Sequence, residues 1–179
     1  MEYQLNKKAI FLDRDGVINI EVNYLYRIND FEFIEGIFEV CRHFQNLGYS
    51  IIIVTNQSGI ARDLYKDKDF QVLTNWMIKE FKKNHINILD IFHCPHSPDF
   101  GCNCRKPKPG MLLNARNKHN IDMQDSWIIG DKEADIIAGI GSGITNTILI
   151  KNGHKIDRLN SKAKYIISSI QQATKIITS

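Results

Sequence analysis

Residues 51–55, IIIVT, form a continuous run of β-branched residues that leads directly into the polar residues 56–58. A strand with one face in water alternates apolar and polar residues, whereas an unbroken apolar run indicates a strand covered on both faces. Strands of this kind belong mostly to parallel sheets that carry helices on either side. The run therefore predicts an α/β fold.

Similar runs alternate with segments of helical periodicity along the whole chain. Strands are predicted at residues 9–12, 50–55, 88–93, 126–130, 145–150 and 164–167. Helices are predicted at residues 34–47, 69–84, 110–119, 133–140 and 168–177. Strands separated by helices imply right-handed crossovers and a doubly wound parallel sheet with helices on both faces. Only 38 residues separate Gly16 from Thr55, which leaves no room for a separate cap domain, so residues 1–179 are predicted to form a single domain.

The polar residues that follow the predicted strands are the candidates for a functional site, because ligands of open parallel sheets bind outside the carboxyl ends of the strands. Asp13 follows the first strand, Thr55 ends the second and Asp131 follows the fourth. Each residue alone could be a helix cap or a loop residue. Together they are expected to bring two carboxylates and a hydroxyl to one edge of the sheet.

Asp13 and Asp15 stand one residue apart, and two close carboxylates need a cation or a shared proton to coexist. With Asp131 they offer the oxygen ligands that suit Mg²⁺. Asp13 is then a candidate nucleophile. Asp15 is placed to protonate a leaving group and later to activate water. Thr55 and a lysine can stabilise the phosphoryl oxygens.

Four segments, DRDGVIN (13–19), VTNQSG (54–59), RKPKPGM (105–111) and GDKEAD (130–135), resemble the four motifs of the haloacid dehalogenase (HAD) superfamily of phosphatases. The resemblance implies a HAD-like fold with Asp13 as nucleophile and Asp15 as acid/base. It implies Mg²⁺ bound by Asp13, Asp131 and the backbone carbonyl of Asp15. The implied substrate- and phosphate-binding residues are Thr55, Asn56, Gln57, Ser58, Arg105, Lys106 and Lys132, with Glu21, Asn23 and Tyr24 on the rim. Asp135 is either a partner of this site or a first-turn helix acid favoured by the helix dipole.

Within the superfamily, the same segments resemble the branch that dephosphorylates heptose bisphosphates. This implies removal of the 7-phosphate of D-glycero-D-manno-heptose 1,7-bisphosphate through an aspartyl-phosphate, in the biosynthesis of nucleotide-activated heptose for lipopolysaccharide. Two features depart from that branch, the short spacer between His96 and Cys102 and the aspartate at Asp63 in place of a glycine. Histidinol phosphate or another small sugar phosphate is the alternative substrate. A non-catalytic phosphate-binding interaction module is the alternative from a different class.

Residues 94–104, CPHSPDFGCNC, contain Cys94, His96, Cys102 and Cys104. Three thiolates and one imidazole suit tetrahedral zinc, and four protein ligands leave no open position, so the predicted Zn²⁺ site is structural. His93 is the rival to His96. A pinned loop would hold the two cations that follow it, residues 105 and 106, close to the phosphate.

The composition is that of a globular protein, with 43% hydrophobic and 24% charged residues among 179. A net charge of +3 is too small to indicate a nucleic-acid partner. No apolar run approaches the roughly 20 residues that span a bilayer, and the N-terminus lacks the pattern of a signal peptide. We therefore expect a cytoplasmic monomer that acts on a small phosphorylated sugar and contacts no membrane.

Overall fold

The computed structural model describes residues 7–152 and 157–178. The parts of the predicted domain at residues 1–6, 153–156 and 179 lie outside the described residues, as does the start of the segment tested for a signal peptide. None of the helices within the described ranges combines the length and the apolarity needed to cross a bilayer.

The six strands form one parallel sheet in the order β3-β2-β1-β4-β5-β6. The strands are β1 (Lys7–Leu12), β2 (Ser50–Asn56), β3 (Ile88–Cys94), β4 (Ile121–Gly130), β5 (Asn146–Ile150) and β6 (Tyr165–Ile167). The helices are α1 (Ile37–Asn46), α2 (Asp67–Lys83), α3 (Gly110–His119), α4 (Glu133–Ser142) and α5 (Ala173–Ile176). The predicted α/β fold with a doubly wound parallel sheet is confirmed.

The central strands are buried on both faces, as their unbroken apolar sequences predict. In β2, Ile51 and Ile53 pack into one core cluster, together with residues of α1, α2 and α5. Ile52 and Val54 point the other way, into a second cluster formed with α3 and α4. Because successive side chains of a strand point to opposite faces, one continuous run supplies both cores.

Three elements differ from the prediction by more than two residues. Helix α1 begins at Ile37 rather than at residue 34, because Gly36 at its N-cap has a left-handed φ of 84°. Strand β4 begins five residues early, at Ile121, and pairs with β1 on both sides of a register shift. At that irregularity the Ser126 hydroxyl accepts the N–H of Ala9. The predicted last helix is a 3-10 turn, Ile170–Gln172, followed by the short α5.

The carboxyl ends of β1, β2 and β4 lie side by side, since β1 pairs with both of the other strands. Asp13 therefore follows the middle strand of the three, and its N–H donates to the carbonyl of Ile129 in β4. This sheet order brings three segments that are far apart in the sequence to one edge.

Candidate active site

A cleft of about 240 Å³ opens at this edge of the sheet. Most of the residues predicted for the site line it: Asp13, Asp15, Glu21, Asn23, Tyr24, Asn56, Gln57, Ser58, Arg105, Lys106 and Lys132. Thr55 and Asp131 are each only 1% exposed and lie below this lining. The sequence prediction therefore names the residues of one continuous site.

Lys106 is at the floor of the cleft, although its side chain belongs to the loop after the cysteine cluster. Its ammonium lies 2.9 Å from Asp13 Oδ1 and 2.6 Å from Asp135 Oδ1, and it donates to the carbonyl of Val54 at 2.7 Å. Burial alone would lower the pKa of Lys106, but the two carboxylates outweigh it and raise that pKa. A permanently charged lysine thus stands beside the candidate nucleophile.

Three buried carboxylates, those of Asp13, Asp131 and Asp135, have oxygens within 4.8 Å of one another. Burial and the neighbouring carboxylates raise the pKa of Asp13 to about 6 and that of Asp131 to about 8, although Lys106 opposes the shift at Asp13. Such a cluster can ionise fully when a cation balances it. Hard carboxylate oxygens at this spacing form a donor set that fits Mg²⁺.

Gly16 leaves the space that the Asp131 carboxylate of this cluster occupies. A Cβ at this position would lie 2.2 Å from Asp131 Oδ2, and the φ of 86° disfavours any other residue. Asn152, just after the carboxyl end of β5, donates from its side chain to the Gly16 carbonyl at 2.8 Å and so fixes the turn. The glycine of the DRDG segment therefore admits the carboxylate of Asp131.

The sequence left two alternative roles for Asp135, a partner of the site or a first-turn helix acid, and its contacts match both. Its Oδ1 binds Lys106, and its Oδ2 accepts the backbone N–H of Lys132 at 3.0 Å, at the start of α4. Both of its oxygens are therefore engaged. It is a helix-capping acid and a partner of Lys106 at once.

Asp15 is not part of the carboxylate cluster, and a set of donors surrounds its carboxyl group. Arg14 contacts both of its oxygens at 3.0 Å, and Asn19 donates to Oδ1 at 3.1 Å. Gln57 donates to Oδ2 at 3.1 Å and to Thr55 Oγ1 at 2.8 Å. The two aspartates of the DRDG segment thus occupy different electrostatic environments.

The rim of the cleft carries the predicted substrate-facing residues. Lys132 forms a 2.8 Å ion pair with Glu21 across the mouth. Tyr24 is 42% exposed, and its φ of 56° turns the rim loop. The side-chain amide of Asn56 exchanges two 3.1 Å hydrogen bonds with the backbone of Lys106, and its contact with phosphate stays a prediction.

The cysteine cluster assembles as its spacing predicts. The potential ligand atoms of Cys94, His96, Cys102 and Cys104 lie within 4.8 Å of one another. The Sγ atoms of Cys94 and Cys102 are 3.6 Å apart, and His96 Nδ1 is 3.3 Å from the Sγ of Cys104. This cluster can hold a metal ion.

His93 is separate from the cluster. Its Nε2 lies 2.9 Å from Asp67 Oδ1, and its ring packs against Phe70 with centroids 4.2 Å apart.

The backbone of the cysteine loop also fixes Arg105, whose guanidinium donates to the carbonyl of His96 at 3.2 Å. The loop thus holds Arg105, and the carbonyl of Val54 in β2 holds Lys106.

Two polar residues that line the cleft were not predicted from the sequence. Arg14 is 2% exposed and its guanidinium contacts Asp15, and Tyr65 is 5% exposed at the wall of the cleft. Position offers a signal for Arg14, which stands inside the DRDG segment. Tyr65 gives only the weak signal of an aromatic residue within a polar stretch.

Comparison with known proteins places this geometry in a family. The HAD-hydrolase-like family model matches residues 103–173. The D-glycero-alpha-D-manno-heptose-1,7-bisphosphate 7-phosphatase of Campylobacter jejuni is 52% identical over 151 residues, which covers 84% of this chain and 87% of the relative. The corresponding alpha enzyme of Photorhabdus laumondii is 50% identical with the same coverage. The beta enzyme of Pasteurella multocida is 43% identical over 178 residues, or 96% of this chain and 97% of the relative.

A solved structure agrees with these relatives. The D,D-heptose 1,7-bisphosphate phosphatase from B. bronchiseptica, complexed with magnesium and phosphate, superposes with a TM-score of 0.85 at 26% identity. The match covers 94% of this chain and 97% of that one. The chain belongs to the HAD superfamily and, within it, to the family of D-glycero-D-manno-heptose-1,7-bisphosphate 7-phosphatases.

Proposed function

We propose that this protein is a Mg²⁺-dependent phosphomonoester hydrolase that removes the 7-phosphate of D-glycero-D-manno-heptose 1,7-bisphosphate. One observation carries the proposal: at the floor of a single cleft, Lys106 links Asp13 to Asp135, while Asp131 lies within 4.8 Å. A nucleophile, a fixed cation and a cation site meet there. Family membership adds the substrate, which would be consumed in the biosynthesis of nucleotide-activated heptose.

Asp13 is the proposed nucleophile. A carboxylate oxygen of Asp13 attacks the phosphorus, the bond to the sugar oxygen breaks, and Asp15 gives its proton to that oxygen. Asp15 then takes a proton from water, which attacks the phosphorus and breaks the bond to Asp13. Inorganic phosphate leaves, and both carboxyl groups return to their starting states.

The remaining polar groups are proposed to hold the phosphoryl oxygens. Thr55 Oγ1 accepts the amide N–H of Gln57, so its own O–H is available as a donor. Lys106 supplies a buried positive charge that needs no reorganisation during the reaction. Ser58 lines the same wall of the cleft.

Asp13 and Asp131, with the backbone carbonyl of Asp15, are the proposed Mg²⁺ ligands. We favour Asp131 over Asp135 as the second carboxylate, because Lys106 and the N–H of Lys132 already engage both oxygens of Asp135. When bound, Mg²⁺ balances the charge of the carboxylates and the phosphate.

Zn²⁺ is the proposed occupant of the cysteine cluster. Tetrahedral ligands about 2.3 Å from zinc would place neighbouring sulfur atoms about 3.8 Å apart, close to the 3.6 Å between Cys94 and Cys102, whereas Cys94 and Cys104 lie 3.0 Å apart. Four ligands close the site, so its role is structural. The metal would fix the loop that carries Arg105 and Lys106.

The relatives support a proposal for the preferred anomer. Two relatives named for the alpha anomer are 50% and 52% identical to this chain. Those named for the beta anomer are 38–46% identical. We therefore propose the alpha anomer, with Glu21, Asn23, Tyr24, Arg105 and Lys132 around the sugar. The monomeric state of the protein stays a prediction.

Phosphate release from a substrate panel tests the proposal. The panel contains both anomers of heptose 1,7-bisphosphate, histidinol phosphate, common hexose phosphates and p-nitrophenyl phosphate, each with and without Mg²⁺. We expect the highest kcat/KM for the alpha heptose bisphosphate and no turnover without Mg²⁺. A preference for histidinol phosphate would overturn the substrate. Absence of release from every ester would favour the phosphate-binding module.

A further inference from the structure

Tyr65 stands in the loop between β2 and α2, and its hydroxyl turns inward rather than toward solvent. The side chain is 5% exposed, and the hydroxyl donates to Gln57 Oε1 at 2.5 Å. It therefore contacts the same glutamine that donates to Asp15 and Thr55. A chain of two hydrogen bonds links this tyrosine to the proposed acid/base residue.

The amide of Gln57 can take only one orientation in this setting. Arg14 Nη2 lies 3.4 Å from Oε1 and can only donate, and Asp15 Oδ2 accepts from both Gln57 and Arg14. A flipped amide would place its oxygen against Asp15 and its N–H groups against Arg14. Tyr65 supplies the closer donor to Oε1, so its hydroxyl does most to hold the amide in the productive orientation.

The surroundings of Tyr65 are shaped to fit its ring. A Cβ on Gly59 would lie 2.2 Å from Cε1 of Tyr65, so only glycine leaves the space that the ring occupies. The ring of Tyr26 stacks on that of Tyr65, with centroids 5.3 Å apart and planes 14° from parallel. Burial raises the pKa of Tyr65 to about 12, which keeps the hydroxyl a donor at neutral pH.

We propose that Tyr65 is a positioning residue that acts through the Gln57 amide to hold the carboxyl group of Asp15 in place for proton transfer to the leaving group. The inference rests on the proposed function, because it assigns a task within that reaction. Tyr65 touches neither Asp13 nor Asp15 directly in the described contacts. Its effect on turnover must therefore depend on how much the reaction needs a proton from Asp15.

Leaving groups of different basicity measure that need. Phenyl phosphate and p-nitrophenyl phosphate have similar shapes, but phenolate needs a proton in the transition state far more than nitrophenolate does. For both esters, kcat/KM reports the steps up to phosphorylation of Asp13. A displaced Asp15 should slow phenyl phosphate selectively, whereas general damage to the site should slow both esters alike.

Tyr65→Phe is the test variant, since it keeps the ring and removes only the hydroxyl. A displacement near 1 Å can cost about 100-fold, so we expect kcat/KM for phenyl phosphate to fall about 10- to 100-fold. For p-nitrophenyl phosphate we expect a loss of about threefold or less on the same argument. Equal losses for the two esters, or no loss for either, would overturn the inference.

Tyr26→Phe is the matched control, because it removes the hydroxyl of the neighbouring stacked ring. That hydroxyl accepts from Arg27 at 3.0 Å, so the variant should leave both rates unchanged. In an Asp15→Asn background, Tyr65→Phe should no longer alter the ratio of the two rates. A persisting change of ratio there would show that Tyr65 does not act through Asp15.

Gly59→Ala covers the case in which Tyr65→Phe fails to fold. The added methyl group pushes the ring from Gln57 without removing the hydroxyl, so the same selective loss is expected. A uniform loss in this variant would contradict the inference as well. If the unmodified protein hydrolyses neither these esters nor heptose 1,7-bisphosphate with Mg²⁺ present, the proposed function itself fails, and that result is visible before any variant is made.

Discussion

Asp13 and Asp15 are separated by one residue, yet their side chains meet opposite chemical surroundings. Asp13 joins a buried cluster with Asp131 and Lys106, whereas Asp15 is surrounded by the donors of Arg14, Asn19 and Gln57. A nucleophile must stay fixed beside a cation, and an acid/base group must exchange a proton. The two environments therefore match two different tasks.

Substituting each aspartate by asparagine should separate these tasks. Asp13→Asn removes the nucleophile, so we expect no turnover and no phosphoprotein. Asp15→Asn keeps the nucleophile but loses proton transfer, which is worth about 10²–10⁴-fold. With p-nitrophenyl phosphate, phosphoprotein should therefore accumulate in Asp15→Asn alone, as measured by intact-mass spectrometry after acid quenching. A phosphoryl group trapped on any residue other than Asp13 would refute the assignment.

Lys106→Met tests the buried ammonium separately from catalysis. The substitution leaves Asp13 and Asp135 without the partner that lies 2.9 and 2.6 Å away. Removing one partner of a buried ion pair costs about 3–5 kcal/mol, so urea unfolding without Mg²⁺ should show a loss of that size. Arg105→Met is the control: its guanidinium makes one 3.2 Å contact to a carbonyl, and about 1 kcal/mol or less is expected. Equal losses in the two variants would contradict this account of Lys106.

At the scale of elements, the sequence predicts most of what the structure contains. Unbroken apolar runs predict the strands because burial on both faces leaves no other pattern, and α3 begins and ends at the predicted residues. The missed boundaries depend on features outside local periodicity. Gly36 delays α1 through its left-handed backbone, and the register shift beside Ser126 extends β4 through polar residues.

The candidate site also contains residues that sequence patterns predict and residues that depend on tertiary contacts. Strand-end position and ligand chemistry suffice to predict that Asp13 and Asp131 lie close together, and that the four Cys and His residues of the cysteine loop do so as well. Tyr65 could not be predicted, because its task arises from a contact with Gln57 that only the folded loop creates. The engagement of Asn56 with the backbone of Lys106, 50 residues away, likewise depends on tertiary structure.

The cysteine loop supplies a prediction about metal and stability. Cys102→Ser and Cys104→Ser should each lose bound zinc, lower the Tm and reduce activity, because structural zinc contributes directly to folding free energy. Metal content by mass spectrometry, thermal unfolding and phosphate release measure the three effects. Cys41→Ala removes a buried thiol of α1 outside the cluster and should keep the full metal content. Unchanged zinc and an unchanged Tm in both serine variants would show that the loop holds no structural metal.

For the whole molecule, the carboxylate cluster couples stability to pH and to Mg²⁺. Without the cation, the pKa of Asp131 is raised to about 8 and that of Asp13 to about 6, from 3.8. At a pH between 3.8 and the raised pKa of each aspartate, the folded state holds more protons than the unfolded state. The stability of the folded state therefore falls as the pH rises from about 4 to about 8. Mg²⁺ binds the ionised carboxylates and competes with those protons.

The increase in Tm on adding Mg²⁺ should therefore be larger at about pH 8.5 than at about pH 6. Thermal unfolding with and without Mg²⁺ at the two pH values measures it. Asp131→Asn should lose most of the increase at both. An equal increase at the two pH values in the unmodified protein would argue against cation binding at these carboxylates.

Strand β3 forms one border of the sheet, so within the described chain no further strand pairs with its outer side. An open border can recruit a strand from another molecule, and charged side chains discourage this. Asp90 places a carboxylate in the middle of β3, held by Lys118 at 2.8 Å and His119 at 2.6 Å. The colloidal behaviour of the protein thus depends on a residue far from catalysis. Asp90→Val should retain phosphatase activity when dilute but aggregate on concentration, as light scattering would reveal.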